Sequence, residues 1–151
     1  MLHKHDELCA VVEADNPDVI CIVESWLSTE IHDTEIAICG YQSYRLDRNR
    51  HGGGVIVYVR SYFVTTLVPV PSHGLEIIPL TVSNGIGKVC ISVFYRPPSS
   101  PSVIFEDLFL YLQSLNIPEF CNYILSGDCN VIILTLSIRT KHTQHLSLIH
   151  I

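Results

Sequence analysis

The stretch PDVICIVE, residues 17–24, decides the fold class. Its apolar run lacks the alternation of a half-exposed strand, which is typical of a β-strand buried on both faces. Residues 3–15 precede it with apolar side chains on one helical face, and Pro17 disfavours helix in the residue before it. A helix followed at once by a buried strand predicts a layered α/β fold.

Further strands are predicted on both sides of a glycine-containing loop. Residues 41–47 and 54–60 both have strand character, and the segment RNRHGGG at 48–54 joins them. Because glycine permits positive φ and a tight reversal, this segment is expected to be a hairpin loop. Strands this close in sequence are expected to pair antiparallel. Three more strands are predicted, at 63–70, 75–82 and 88–95.

A second helix is predicted after the prolines that end this series. Ser100 and Pro101 are typical of an N-cap and a first helical residue, and the apolar face that follows continues to about Leu115. A short final strand is predicted at 123–126. Residues 132–151 have no convincing cap, turn or sustained periodicity. We expect them to be a disordered or non-native tail.

The composition limits the class of protein. The chain has 151 residues, enough for one domain, and 48% hydrophobic against 16% charged residues suits a sheet buried on both faces. The net charge of −6 argues against a general basic surface for nucleic acid. A local basic segment remains, made up of Arg45, Arg48, Arg50, His51 and Arg60.

Cysteine usage and hydropathy indicate the compartment. The six cysteines form no CxxC pair, which makes a zinc ribbon an unfavourable interpretation. Residues 1–16 are mixed polar and do not resemble a signal peptide, so a reduced intracellular compartment is expected. No apolar run reaches the roughly 18–20 residues of a membrane span, and no membrane association is expected.

Carboxylates follow two of the apolar strands. Glu24 ends the first strand, and Asp128 with Asn130 follows the last one. Each carboxylate alone has an ordinary interpretation, Glu24 as a solvated strand end and Asp128 as a turn residue. However, polar groups at strand ends of layered sheets converge on one rim. Two carboxylates there would suit Mg²⁺, which stabilises charge on a phosphoryl group.

Three further features each have an ordinary and a functional interpretation. Tyr95 and Arg96 end a strand just before two prolines. They can be interpreted as a simple strand terminus or as contacts to a substrate phosphate. The glycines 52–54 lack the Gly-Lys-Ser/Thr ending of a nucleotide P-loop and precede a strand, so no small-molecule cofactor is expected. Trp26 is more typical of a packing residue than of a substrate platform.

Four segments in order resemble the endonuclease domain of non-LTR (LINE-type) retrotransposons. They are PDVICIVESWL (17–27), RNRHGGGVIVYVR (48–60), VFYRPPSS (93–100) and ILSGDCNV (124–131). Each segment alone is a weak signal, but four in order, within residues 4–131, are specific. That domain belongs to the endonuclease/exonuclease/phosphatase superfamily. The resemblance implies a DNase I-like, four-layer α/β sandwich with mostly antiparallel strands.

The resemblance also implies an activity and roles for residues. The activity would be Mg²⁺-dependent nicking of DNA in the nucleus, with Mn²⁺ as the alternative metal. Glu24 would be the metal ligand, and Tyr95 would lie near the scissile phosphate. Asp128 would orient or deprotonate the attacking water, and Asn130 would position Asp128 or the phosphate. The substrate-binding residues would be Arg48, Arg50 and Arg96.

Two motifs of that family have no counterpart in this sequence. An Asn-bearing strand that helps hold the metal should precede residue 4, and a Ser-Asp-His segment should follow residue 131. Cys129 also replaces the usual Phe, which is a packing change. We therefore expect residues 1–131 to be a partial domain without cleavage activity, because each missing charge-stabilising group costs several kcal/mol of barrier.

Two other functions are left open. The chain could be a phosphatase or phosphodiesterase of the same superfamily that acts on a lipid or small phosphoester. It could also be a non-catalytic remnant that binds DNA or a partner through the Arg45–Arg60 hairpin. The GGGV and YRPP segments favour the retrotransposon-type endonuclease.

Overall fold

The computed structural model describes residues 2–49, 51–70, 74–115, 122–130 and 148–150. The two α-helices are α1 (His5–Asp15) and α2 (Ile104–Ser114), and short 3-10 turns lie at Leu2–Lys4 and Asp33–Glu35. The strands are β1 (Val19–Val23), β2 (Tyr41–Leu46), β3 (Val55–Arg60), β4 (Val64–Leu67), β5 (Glu76–Ser83), β6 (Lys88–Tyr95), β7 (Asn122–Asp128) and β8 (Leu148–His150).

The strands form two four-stranded sheets. The first has the order β2-β3-β1-β8 and the second the order β4-β5-β6-β7. The pairs β1–β3, β2–β3, β4–β5 and β5–β6 are antiparallel, while β6–β7 and β1–β8 are parallel. The predicted predominance of antiparallel strands is therefore confirmed.

Side-chain alternation along β1 explains how the layers are built. Val19 and Cys21 pack between the two sheets, whereas Ile20 and Ile22 pack on the other face beneath α1. On the far side of the second sheet, Phe94 packs against the apolar face of α2. The result is helix, sheet, sheet, helix, which confirms the predicted four-layer α/β sandwich. The run at 17–24 is apolar because β1 is covered on both faces.

One strand is shorter than predicted. The sequence predicts a strand at 63–70, but β4 covers only Val64–Leu67. Val68 donates to the carbonyl of Pro79 at 3.0 Å. The N–H and C=O of a strand residue point to the same neighbouring strand, so a continued ladder would also need a bond from the Pro79 N–H to Val68. Proline has no N–H, and that bond cannot form. The ladder between β4 and β5 therefore ends beside Pro79.

The second helix begins later than predicted. Ser100 is not its N-cap, since α2 begins at Ile104 after Val103, with no side-chain cap hydrogen bond. The guanidinium of Arg96 donates to the carbonyl of Ser100, and the Ser100 N–H donates to Pro97. These bonds hold Ser100 in the turn that follows β6. The Ile104 N–H then closes a tight turn onto Pro101, and the regular helix starts from there.

The predicted boundary of the tail is not tested by the described residues. Most of 132–151 lies outside them, and Leu148–His150 forms β8, which pairs with Val19–Cys21. Among the described residues, no helix is both long and apolar enough to cross a membrane.

The central position of β1 leads to a prediction about thiol reactivity. Burial raises the pKa of Cys21 to about 12, so little thiolate forms at pH 8. Cys39 is exposed. We expect iodoacetamide at pH 8 to alkylate Cys39 while Cys21 reacts only after denaturant is added, as read by mass spectrometry of peptides. Rapid alkylation of Cys21 in the native protein would contradict its place between the sheets.

Candidate active site

The turn that follows β1 has an unusual backbone. Glu24 has φ +56° and Trp26 has φ +54°, a region that side chains other than glycine rarely adopt. Two hydrogen bonds hold this turn against the glycine loop: Ser25 N–H to the carbonyl of Gly54 at 3.2 Å, and Trp26 N–H to that of Gly53 at 3.1 Å. Strained residues of this kind persist only where their surroundings fix them.

The Glu24 carboxylate connects three separate segments. Its Oε2 accepts from the Gly53 N–H at 3.0 Å and from the Trp26 indole Nε1 at 2.6 Å. Its Oε1 accepts from the Tyr95 hydroxyl. Tyr95 is at the end of β6 and only 2% exposed. The structure thus brings together two residues that the sequence predicts for the site, one from each sheet.

A second carboxylate fixes the glycine loop from the other side. Glu76, the first residue of β5, accepts from the Gly54 N–H at 2.9 Å and pairs with Arg48 at 3.2 Å. Glu76 is absent from the residues that the motifs predict for the site. The sequence signal that could have indicated Glu76 is weak: it is an acidic residue at the start of a predicted strand, and the basic residues of the chain cluster around the glycine loop.

These elements enclose a cavity of about 360 Å³ at one end of the two sheets. Three predicted site residues, Glu24, Tyr95 and Arg48, lie on its wall. Trp26 also lines the cavity, and four further residues of the loop and three of the turn after β6 complete the lining: Asn49, His51, Gly52, Gly53, Pro97, Pro98 and Ser99. Polar side chains on this wall include Arg48, Asn49 and His51.

Asp128 and Asn130 lie beside this cavity without lining it. Asp128 is paired with Tyr95 in the parallel register of β6 and β7. The Asn130 N–H donates to Asp128 Oδ1 at 2.7 Å, and Asn130 Nδ2 donates to the carbonyl of Arg96 at 2.6 Å. Asn130 thus ties Asp128 to the end of β6, next to the residue whose hydroxyl contacts Glu24.

A glycine allows this approach of β7 to β6. The sequence predicts a strand at 123–126, but β7 extends to Asp128. Gly127 has φ +132°, and a Cβ built there would lie 1.8 Å from the carbonyl oxygen of Phe94. Only glycine fits at this position, and the absence of a side chain lets β7 continue to pair with β6 as far as Asp128.

Among the described basic residues singled out in the sequence, Arg96, a predicted contact, and Arg60 lie away from the cavity lining. Arg96 is 9% exposed, with its guanidinium carbon 5.2 Å from the centre of the Phe105 ring, and it does not line the cavity. Arg50 lies outside the described residues. Arg60 lies over the Tyr41 ring at 4.4 Å. Of the basic hairpin residues that the structure describes, Arg48 and His51 are the ones on the cavity wall.

Arg45 also has structural partners instead of a free surface position. Its guanidinium pairs with Asp47 and, at 3.0 Å, with Asp33, and it donates to the carbonyls of Ser28 and Ile31. The hydrogen bond to Asp47 raises the pKa of Arg45 further. Within the described part of the Arg45–Arg60 hairpin, the charge of Arg45 is therefore balanced by neighbouring acids.

The described residues do not complete a site for Mg²⁺. They hold no group of three or more His, Cys, Asp or Glu side chains placed to share a metal ion. Glu24 is the single carboxylate on the cavity wall, and three donors already occupy its oxygens. Since a carboxylate offers about four lone-pair positions, little capacity remains for a cation.

The sequence and the fold match known proteins. The profile of the endonuclease/exonuclease/phosphatase family matches residues 1–139. The fold is similar to the endonuclease domain of TRAS1, a telomere-specific non-LTR retrotransposon, with a TM-score of 0.61 and 13% identity over 82% of this chain and 53% of that one. No curated protein matches the sequence.

A structure that holds a DNA product and a phosphatase are also among the similar folds. One is TDP2 of D. rerio complexed with single-strand DNA product (TM-score 0.63, 17% identity, 85% of this chain and 54% of that one). Another is ANGEL2, a 2',3'-cyclic phosphatase (TM-score 0.56, 15% identity, 83% and 42%). The chain spans about half the length of these structures. The superfamily prediction is confirmed, whereas the narrower retrotransposon assignment stays a prediction.

The contacts of Glu24 predict the sign of a stability change. Glu24→Ala leaves the buried Tyr95 hydroxyl without its acceptor, so we expect a loss of about 1–3 kcal/mol in the free energy of unfolding. Urea denaturation followed by circular dichroism measures it. Glu13→Ala, at an exposed position of α1, is the control and should stay within about 0.5 kcal/mol. A more stable Glu24→Ala variant would contradict these contacts.

The fit of Gly127 predicts a second stability change. In Gly127→Ala the added methyl collides with the backbone of β6, and we expect a loss of about 3 kcal/mol or more in the same denaturation experiment. Gly85→Ala is the matched control, because φ is +83° there but no heavy atom lies within 4 Å of the added Cβ. Its cost should be about 1–2 kcal/mol. Equal losses would refute the close approach of β7 to β6.

Proposed function

Because the chain belongs to the endonuclease/exonuclease/phosphatase family, we propose that it is a retrotransposon-type endonuclease unit that binds a DNA phosphodiester in the cavity but does not cleave it by itself. The observation that carries this proposal is the meeting of Glu24, Tyr95 and Arg48 on one cavity wall. These residues come from three sequence segments that resemble the retrotransposon endonucleases.

The donors on the cavity wall suit a phosphodiester. The Arg48 side chain is 43% exposed and uses one nitrogen for Glu76, and a guanidinium carries five N–H donors in all. His51 and Asn49 add polar groups beside it. The negative charge of Glu24 is offset by its three donors, which lowers its repulsion of an anion.

DNA is favoured as the substrate by two independent lines of support. Four segments in the order of the retrotransposon endonucleases occur along the chain, and the fold is similar to a domain of that kind and to a TDP2 that holds a single-strand DNA product. A DNA substrate would place the protein in the nucleus. Phosphatases share the fold, so a small phosphoester is the competing substrate.

The incomplete metal site is the reason to expect no cleavage. Members of this family generally depend on a divalent metal ion, and the described residues supply one carboxylate for it on the cavity wall. Removing one charge-stabilising group from a site of this kind costs roughly 10²–10³ in rate. Tyr95 on the cavity wall would then contact a bound phosphodiester, and Asp128 and Asn130 would fix the end of β6 beside it, without promoting attack on the phosphorus.

Binding and cleavage are tested separately. Binding of a fluorescent oligonucleotide by the full chain should weaken as salt is raised, and Arg48→Ala should weaken it several-fold more than Lys4→Ala, which removes a charge outside the cavity lining. Nicking of supercoiled plasmid with Mg²⁺ or Mn²⁺ should equal that of a Glu24→Ala, Asp128→Ala double variant.

Two results would reverse these expectations. Metal-dependent nicking that disappears in the double variant would show that the chain cleaves DNA. Turnover of an inositol phosphate or another small phosphoester, with no DNA binding at any salt concentration, would favour the phosphatase alternative.

A further inference from the structure

Trp26 lies on the cavity wall with an unusually open ring. It is 53% exposed, although the sequence favours a packing role for it. Its neighbour Leu27 is 0% exposed and belongs to the core beneath α1. The packing function of this turn is therefore carried by Leu27. The ring of Trp26 is left facing the cavity and solvent.

Two hydrogen bonds hold Trp26 in place, one from its backbone and one from its indole ring. Its backbone has φ +54° and donates to Gly53, and its Nε1 donates to Glu24 at 2.6 Å. A ring fixed before the ligand arrives loses little conformational freedom when the ligand binds. Keeping a large aromatic surface exposed and a tryptophan backbone in the left-handed region costs stability, which points to a functional role.

We propose that Trp26 is a stacking platform for an unpaired base of the DNA strand whose phosphate occupies the cavity. This inference rests on the proposed function. Arg48 and His51 line the same cavity, so one ligand would meet an aromatic face, a guanidinium and an imidazole together. Single-stranded nucleic acid presents that combination, a flat base next to a phosphate. In a duplex the base faces are covered by their neighbours, so the base has to be unpaired.

The chain supplies its own probe for this contact. Trp26 is the sole tryptophan in the sequence, so intrinsic fluorescence reports on this ring alone. Titration of the full chain with a short oligothymidylate should quench the emission and saturate. An abasic strand of equal length keeps the phosphates but has no bases. It should leave the emission nearly unchanged and bind about 5- to 150-fold more weakly.

Two variants separate the aromatic ring from the indole hydrogen bond. Trp26→Phe and Trp26→Leu both remove the donor to Glu24, but only Trp26→Phe keeps an aromatic face. With a labelled oligothymidylate read by anisotropy, Trp26→Phe should bind within about threefold of the parent chain, and Trp26→Leu should lose the same factor as removal of the bases. The two variants should bind the abasic strand with the same affinity as each other, because both lack the donor to Glu24 and the strand has no bases. Circular dichroism checks that they fold.

The outcomes distinguish this inference from the proposed function. Equal affinity of the parent chain for the abasic strand and for oligothymidylate would overturn stacking while DNA binding stands. Equal quenching by a duplex would overturn the need for an unpaired base. If neither strand binds, the proposed function fails, and the stacking role fails with it. Tighter binding of oligouridylate would overturn DNA as the strand.

Discussion

The hydrogen bond between the Tyr95 hydroxyl and the Glu24 carboxylate is the contact on which the cavity depends. It joins the end of β6 to the turn after β1, and so one sheet to the other. Tyr95 is buried, and a buried hydroxyl without a partner is costly. The same carboxylate accepts hydrogen bonds from the Gly53 N–H and the Trp26 indole. These bonds fix the glycine loop and the Trp26 ring relative to the two sheets.

This contact also limits the chemistry. A carboxylate whose oxygens hold three donors together has little left to offer a cation, so the bonds that shape the cavity compete with metal binding. The same bonds reduce the effective negative charge near Arg48. In the function proposed above, the described part of the site therefore holds a phosphodiester without activating water against it.

The parts of this arrangement that the sequence predicts are those set by local pattern. The apolar run of β1 predicts a doubly covered strand, which the structure has. The strand-end residues Glu24 and Tyr95 meet, whereas Asp128, the carboxylate expected to converge with Glu24, lies beside the cavity without lining it. The parts that it does not predict depend on distant partners. Glu76 reaches the glycine loop only after the sheets pack, and Arg45 is neutralised by Asp33 across a loop. A sequence motif contains only the order of the residues, so it does not predict contacts between distant segments such as these.

The backbone itself indicates where the structure accepts strain. Among the described residues, four side chains other than glycine have positive φ: Asn16, Glu24, Trp26 and Asn130. Asn16 ends α1, where asparagine is well tolerated in the left-handed region. The other three surround the cavity and Asp128. Each such residue costs of order 1–3 kcal/mol, and neither Glu nor Trp is suited to that conformation. Packing alone gives no reason for two strained residues at one turn, whereas a fixed ring and a fixed carboxylate at a binding site do.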